Sequence, residues 1–150
     1  MRTLLRQDIE REEDRVPYGY YDSRGFLTCG IGFLIDKSQG GRIPDAVMNF
    51  WLDYILDEVD AEMDRALPWW RKQPDNVQRA MAQMCYQIGL PKLLGFKKML
   101  AALQRGDYAT AKREGLDSAW AKQTPARAER VTNLFMLHLA PTPITTGATS

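Results

Sequence analysis

Hydrophobic positions recur with helical spacing over most of the chain, and the first such segment lies at the N-terminus. Leu5, Ile9 and Glu13 stand four residues apart within residues 3–14, so they share one face of a predicted amphipathic helix. Pro17 and Gly19 follow and end the helical pattern. Because Glu13 shares the face of two apolar residues, we expect it to turn toward packed side chains rather than toward water.

The pattern changes from helical to strand-like over residues 18–36, where aromatic and β-branched residues alternate with glycine and aspartate. Residues 22–25, Asp-Ser-Arg-Gly, form a turn signal between two apolar runs. This segment predicts a small antiparallel hairpin or three-stranded sheet. A Gly/Ser-rich connector follows at residues 37–42.

A long helix is predicted from Pro44, since proline suits the first turn of a helix. The apolar positions of this helix recur at intervals of four, at Val47, Trp51, Ile55, Val59 and Met63. Acidic residues occupy most of the remaining surface. A helix of about twenty residues is long enough to link two lobes of a protein.

The second half of the chain reads as a series of helices. Asp75 is placed to cap a core helix that is nearly apolar on several sides and that Gly89 and Pro91 stop. Short helices are predicted at residues 96–104 and 107–114, and Thr124-Pro125 predicts the start of a final helix that runs to about residue 137. Residues 141–150 are rich in Pro, Thr and Gly and predict a mobile tail. The fold class predicted is therefore α+β and mostly helical, with one small N-terminal sheet.

Composition and charge argue against several classes of protein, among them nucleic-acid-binding, disulfide-rich, metal-binding and membrane proteins. At 150 residues the chain fits one domain, and 20 basic against 19 acidic residues give no reason to expect nucleic acid as a partner. Cys29 and Cys85 are too few for a disulfide framework, so we expect free buried thiols. With His138 as the single histidine, we expect no metal and no cofactor. The sequence contains no signal-peptide-like or transmembrane-length apolar run, so we expect no membrane insertion.

Two carboxylates, Glu13 and Asp22, are the candidates for chemistry. They lie nine residues apart, one at the end of a predicted helix and one at a predicted turn. Different local structures give two carboxyl groups different environments, and an acid/base pair needs one group protonated and one ionised at the same pH. Most surface carboxylates have no chemical role, however, and Glu10 and Glu12 compete with Glu13.

Thr28, Gly30 and Gly32 follow the turn, and each has a structural and a functional reading. Thr28 is an ordinary strand residue or a hydroxyl that holds water for a neighbouring carboxylate. The two glycines mark a bulge or close packing, or a bare backbone against which a polymer lies. No helix start follows them, so they do not form a phosphate-binding loop.

A second group of polar and aromatic residues lies far along the chain. Gln87 ends the core helix, either as a cap or as a ligand contact. The segment from Trp120 to Arg130 is rich in polar and aromatic residues. Capping accounts for its Thr-Pro pair but leaves Trp120, Arg127 and Arg130 unexplained.

Taken together, these motifs resemble those of the phage-type lysozymes, the endolysin muramidases of glycoside hydrolase family 24, of which the T-even phage lysozyme is the best known. The family places an Asp nine residues after a helix-ending Glu and a Thr six further on, followed by Gly-x-Gly. All three spacings are met here. Residues 84–89, 95–96 and 120–130 resemble the family's large-lobe signatures, so the resemblance spans residues 4 to about 137. Asp14 and Phe33 depart from the Gly and His that are usual at these positions.

The resemblance implies one catalytic domain over residues 1–140, with a small lobe at about 15–45 and a linking helix at about 44–66. The helical large lobe would comprise about 67–138 together with the N-terminal helix. It implies cleavage of bacterial peptidoglycan between N-acetylmuramic acid and N-acetylglucosamine, with inversion. Glu13 would be the acid, and Asp22 with Thr28 would hold the attacking water. Arg127 would lie near Glu13 in a supporting role. The candidates for lining the cleft are Gly32, Leu34, Tyr86 and Gln87.

The resemblance also implies a biological setting. The chain would act as a monomer that accumulates in the host cytoplasm, and a separate holin-like factor would release it to the wall. A virion-borne role in wall penetration is compatible with the same sequence. Two rival functions remain: a lytic transglycosylase, which needs one Glu and no water, and a peptidoglycan-binding domain that has lost its chemistry.

Overall fold

The computed structural model describes residues 1–35 and 43–139. The chain divides into an N-terminal unit, Met1–Trp51, and a C-terminal unit, Leu52–Ser150. The connector predicted at residues 37–42 and the tail predicted at residues 141–150 lie outside the described residues.

The N-terminal unit contains one helix and one sheet. Helix α1 (Arg2–Glu13) precedes strands β1 (Val16–Tyr21), β2 (Leu27–Gly30) and β3 (Phe33–Leu34). The strands form an antiparallel sheet in the order β1-β2-β3. This confirms the predicted small sheet and, with the helices below, the mostly helical α+β class.

Helix α1 corrects one expectation from the sequence. No residue of α1 is buried, and Leu5 and Ile9 remain 41% and 45% exposed. Glu13 is exposed as well, so the prediction that it turns toward packed side chains is wrong. The shared face exists, but no apolar surface covers it within the described residues.

Helix α2 (Asp45–Ala66) has the predicted length and begins directly after Pro44. Its apolar stripe is buried only near the C-terminal end, at Val59 and Met63. Val47 and Trp51, at the other end, are about half exposed. No helix among the described residues is long and apolar enough to cross a membrane.

The regular elements of the C-terminal unit are all helices in its described part. Its α-helices are α3 (Asp75–Ile88), α4 (Leu90–Leu94), α5 (Lys97–Gln104), α6 (Tyr108–Leu116), α7 (Ala119–Gln123) and α8 (Pro125–Asn133), and 3-10 helices span Trp70–Lys72 and Leu134–Leu139. The sequence analysis did not predict the short helices α4 and α7. Asp75 is not a cap: Pro74 holds that position and Asp75 is an acidic residue of the first turn, where it favours the helix dipole.

Helix α3 is the central core helix that its composition predicts. Its buried residues are Val77, Ala80, Met81, Met84 and Cys85. They pack with partners from the other helices of this unit, among them Leu93, Met99, Leu103 and Phe135. Burial raises the pKa of the Cys85 thiol, so this thiol stays protonated and behaves as a small apolar side chain. Cys29 and Cys85 are both free, but only Cys85 is buried; Cys29 is partly exposed, so the expectation of a buried thiol is wrong for Cys29.

A polar cluster links the end of α2 to the 3-10 turn that follows. Asp64 Oδ1 accepts hydrogen bonds from Trp70 Nε1 at 2.7 Å and from Arg71 Nε at 2.8 Å. The Arg71 guanidinium also lies 4.3 Å from the centroid of the Trp70 ring. The hydrogen bond from Arg71 and then that from Trp70 lower the pKa of Asp64.

This cluster predicts an acid-sensitive contribution to stability. A carboxyl group whose pKa is lowered by folding stabilises the protein above its unfolded pKa of about 3.8 and loses that contribution as the pH falls through the folded value. We expect Asp64→Asn to lower the melting temperature slightly at pH 7, with the difference narrowing below pH 4. Thermal scans across pH measure it, with the exposed Asp53→Asn on the same helix as the control. An unchanged difference at low pH would contradict this role of the Asp64 charge.

Candidate functional site

Asp22 caps the turn that joins β1 to β2. Its Oδ1 accepts from the backbone N–H groups of Arg24 and Phe26, both at 2.8 Å. Its own N–H donates to the Phe26 carbonyl at 2.8 Å, and Gly25 closes the turn with a φ of 81°. Such side-chain-to-backbone bonds are the reason Asp favours turns. Within the described residues Oδ2 takes part in no hydrogen bond, so one carboxylate oxygen remains available.

Thr28 lies in β2, opposite Tyr20 on one side and Leu34 on the other. Cross-strand partners project to the same face of a sheet, so these three side chains share a face. Thr28 is buried, and its Oγ1 donates to the Phe26 carbonyl at 3.0 Å. Asp22 and Thr28 therefore both bind the backbone of Phe26, which fixes them in one local structure.

Glu13 lies directly against Gly32. A β-carbon built on Gly32 would fall 2.5 Å from Glu13 Oε2, far inside contact distance. Gly32 also has a φ of 64°, a conformation that favours glycine. From the sequence, Glu10, Glu12 and Glu13 were all candidates for the catalytic acid. Glu10 accepts a hydrogen bond from Arg15 at 2.8 Å. Glu13 is the candidate whose carboxylate lies against Gly32 of the Gly-x-Gly turn.

Gly30 packs closely against a neighbouring side chain, which is one of the structural roles that the sequence predicts for it. The Phe33 ring lies 2.7 Å from where a β-carbon on Gly30 would stand. Phe33 is itself 60% exposed. The reading in which a polymer lies against these glycines stays a prediction.

The residue after Glu13 has an unusual backbone. Asp14 has φ 57° and ψ 167°, and it is the only residue other than glycine with positive φ in the described part of the chain. Asp tolerates the left-handed helical region, but that region needs a ψ near +47°. The observed combination borders a region populated almost solely by glycine, at a cost of about 1–3 kcal/mol. The strained backbone ends α1 at Glu13.

In the C-terminal unit Gln87 binds Trp120. Trp120 Nε1 donates to Gln87 Oε1 at 2.9 Å, and the ring of Phe96 meets the indole edge-on with centroids 6.0 Å apart. Gln87 lies inside α3, so its reading as a helix cap is wrong. The pair also explains Trp120, which capping left unexplained. Sequence offered no signal for this bond because its partners lie 33 residues apart.

Tyr86 and Arg127 line one cavity of about 330 Å³ in the same unit. The other lining residues are Leu52, Leu56, Arg79, Ala82 and Gln83. Arg79 is a cation that the sequence reading did not single out. The expected approach of Arg127 to Glu13 stays a prediction. Over the part of the chain that the structure describes, no group of three or more acidic, His or Cys side chains is placed to hold a metal ion.

The contact between Glu13 and Gly32 predicts a selective loss of activity. We expect Gly32→Ala to displace the Glu13 carboxylate and lower the catalytic rate about tenfold, because small misplacements of a reacting group are costly. Gly106→Ala is the matched control, since Gly106 has a φ of 79° and nothing within 4 Å. Both variants carry backbone strain, so both should melt earlier. Equal activity losses in the two would show that strain, not the contact, is responsible.

Comparison with known proteins finds relatives over most of the chain. "Probable T4-type lysozyme 2" of Dictyostelium discoideum is 37% identical over 161 residues, covering 90% of this chain and 95% of that protein. "Probable T4-type lysozyme 1" of the same organism is 26% identical, covering 77% and 84%. The "Pre-baseplate central spike protein Gp5" of Enterobacteria phage T4 is 30% identical over 85% of this chain. The matched region is 27% of the length of the phage protein. No established family profile matches the chain.

Proposed function

This chain belongs to the T4-type lysozyme family, and on that basis we propose that it is a muramidase that hydrolyses peptidoglycan. The bond cut is the β-1,4 linkage from N-acetylmuramic acid to N-acetylglucosamine. The observation that supports the proposal is that Glu13 lies against Gly32, while Asp22 and Thr28 both bind the backbone of Phe26, all within the N-terminal unit.

Glu13 acts as the general acid. Its carboxyl group donates a proton to the glycosidic oxygen as the bond to the sugar carbon breaks, so that the leaving sugar departs as a neutral alcohol. The contact with Gly32 restricts the orientation of the carboxyl group, which is what directed proton transfer needs.

Asp22 and Thr28 position and activate the water molecule that attacks the sugar carbon. The Thr28 hydroxyl proton is engaged by the Phe26 carbonyl, so its oxygen lone pairs are left to accept from a water molecule. Asp22 Oδ2 accepts the other water proton and takes it as the water attacks. With both hydrogens held, the water directs a lone pair at the sugar carbon. Attack opposite the leaving group gives inversion, which requires carboxyl groups about 6.5–9.5 Å apart.

Gly32 and Leu34 of the N-terminal unit, with Tyr86 and Gln87 of the C-terminal unit, are the proposed glycan contacts. Leu34 shares the sheet face of Thr28, and Gln87 is held by Trp120. Backbone, amide and aromatic groups suit a long polar glycan. Arg127 is the proposed supporting cation.

The proposed setting is bacteriolysis by a phage. The chain accumulates as a monomer in the host cytoplasm as an endolysin, and a separate membrane-permeabilising factor releases it to the wall. A virion-borne role is the second candidate, which the similarity to a phage spike protein favours. No partner other than peptidoglycan is needed for the reaction.

Clearing of permeabilised Gram-negative cells tests the function. We expect the added protein to lower the turbidity of the suspension, while Glu13→Gln pellets with purified peptidoglycan without clearing the cells. Pelleting without clearing by the unaltered chain would instead identify a binding domain that has lost its chemistry.

A further inference from the structure

We propose that Asp14 is a positioning residue for Glu13: its strained backbone ends α1 at the acid and lays the carboxylate on Gly32. This inference rests on the proposed function, since it concerns the geometry of the same acid. Asp14 itself touches no reacting atom.

The backbone of Asp14 carries the first part of the argument. With φ 57° and ψ 167°, the chain turns sharply out of the helix immediately after Glu13. A residue in the ordinary helical region would continue α1 and send the following strand in another direction, which would move Gly32 relative to the Glu13 carboxylate. A conformation this unfavourable for an L-residue persists only where its surroundings hold it in place, and such residues cluster at functional sites.

A side-chain bond across the break supplies the second part. Arg15, just past Asp14, donates from Nη2 to Glu10 Oε1 at 2.8 Å, and Glu10 lies one turn before the helix end. The bond therefore closes a loop around Glu13 and Asp14 and draws the departing chain back toward α1. Among the described ion pairs of this helix, Arg11–Asp8 is different, because both partners lie within α1.

The position of Glu13 supplies the third part. Its carboxylate reaches Gly32 from an exposed helix on which no residue is buried, so core packing does not orient it. What remains to orient it is the end of the helix, which Asp14 and the Arg15–Glu10 bond determine. A small rotation at this point would move the carboxylate off the glycine, and misplacement by about 1 Å costs up to about a hundredfold in rate.

Substitutions at Asp14 test the inference through the positive φ. Glycine adopts this backbone freely, so Asp14→Gly should keep kcat within about twofold and raise the melting temperature by about 2–4 °C. A β-branched residue disfavours positive φ, so Asp14→Val should lower kcat about tenfold or more with KM little changed. The measurement is initial rates on purified soluble peptidoglycan fragments, with the folded fraction checked by circular dichroism.

A matched pair of arginine variants makes the test independent of Asp14. Arg15→Ala removes the bond across the break and should lower kcat, while Arg11→Ala removes an ion pair inside α1 and should not. If Asp14→Val fails to fold, the comparison of Arg15→Ala with Arg11→Ala tests the inference by itself. Equal kcat for Arg15→Ala and Arg11→Ala, or an undiminished kcat in folded Asp14→Val, would overturn the inference. An unaltered chain that cleaves nothing would instead overturn the proposed function.

Discussion

Replacing Glu13 by glutamine should lower the rate of peptidoglycan cleavage by about 10²–10⁴-fold, because the amide keeps the shape of the side chain but has no proton to transfer. The substitution leaves the contact with Gly32 in place, and Glu13 is exposed, so the melting temperature should stay close to that of the unaltered chain. Initial rates on purified peptidoglycan, beside thermal melts of the same samples, measure both expectations.

The neighbouring acids are the controls for this substitution. Glu12→Gln should be silent, and Glu10→Gln should cost less than Glu13→Gln, because Glu10 acts only through its bond to Arg15. If Glu13→Gln keeps near-normal activity while either neighbour loses it, the acid has been assigned to the wrong residue of α1.

The second large effect is expected from Asp22 and Thr28 together. Asp22→Asn keeps an oxygen for the turn bonds at Oδ1 but loses the charge that accepts a proton, so activity should fall about a hundredfold. Thr28→Ala should fall by a similar factor. If both hold one water, the double variant should lose little more than either single variant, because residues that act as a unit are strongly non-additive.

Ser23→Ala, in the same turn, is the control for local disruption and should leave the rate unchanged. Losses that multiply in the Asp22→Asn, Thr28→Ala double variant would mean that the two residues do separate jobs. The shared water would then be abandoned, although both residues could still contribute to the reaction.

Features set by neighbouring residues were predictable from the sequence. The turn at residues 22–25 follows from Asp and Gly between apolar runs, and the core role of α3 follows from its apolar composition. These elements depend on local propensity and periodicity, which one sequence contains.

Features set by tertiary contact were not predictable. The apolar face of α1 was correctly identified, but periodicity does not say whether anything covers that face, and Glu13 is exposed. The sequence did not distinguish a capping role for Gln87 from other roles, because its hydrogen bond to Trp120 joins two helices that are distant in the sequence. Asp14 stands where the family usually has glycine, and its positive φ is a backbone conformation that glycine adopts without strain; the sequence alone does not reveal that conformation.

Digestion of purified peptidoglycan in ¹⁸O-enriched water, followed by mass spectrometry of the released fragments, tests the central claim most directly. The account predicts one ¹⁸O atom in each new reducing-end N-acetylmuramic acid, and at least about a hundredfold fewer such fragments from Glu13→Gln in the same time. Fragments that end in anhydro-muramic acid and carry no ¹⁸O would contradict it, because they would show a lytic transglycosylase that uses no water.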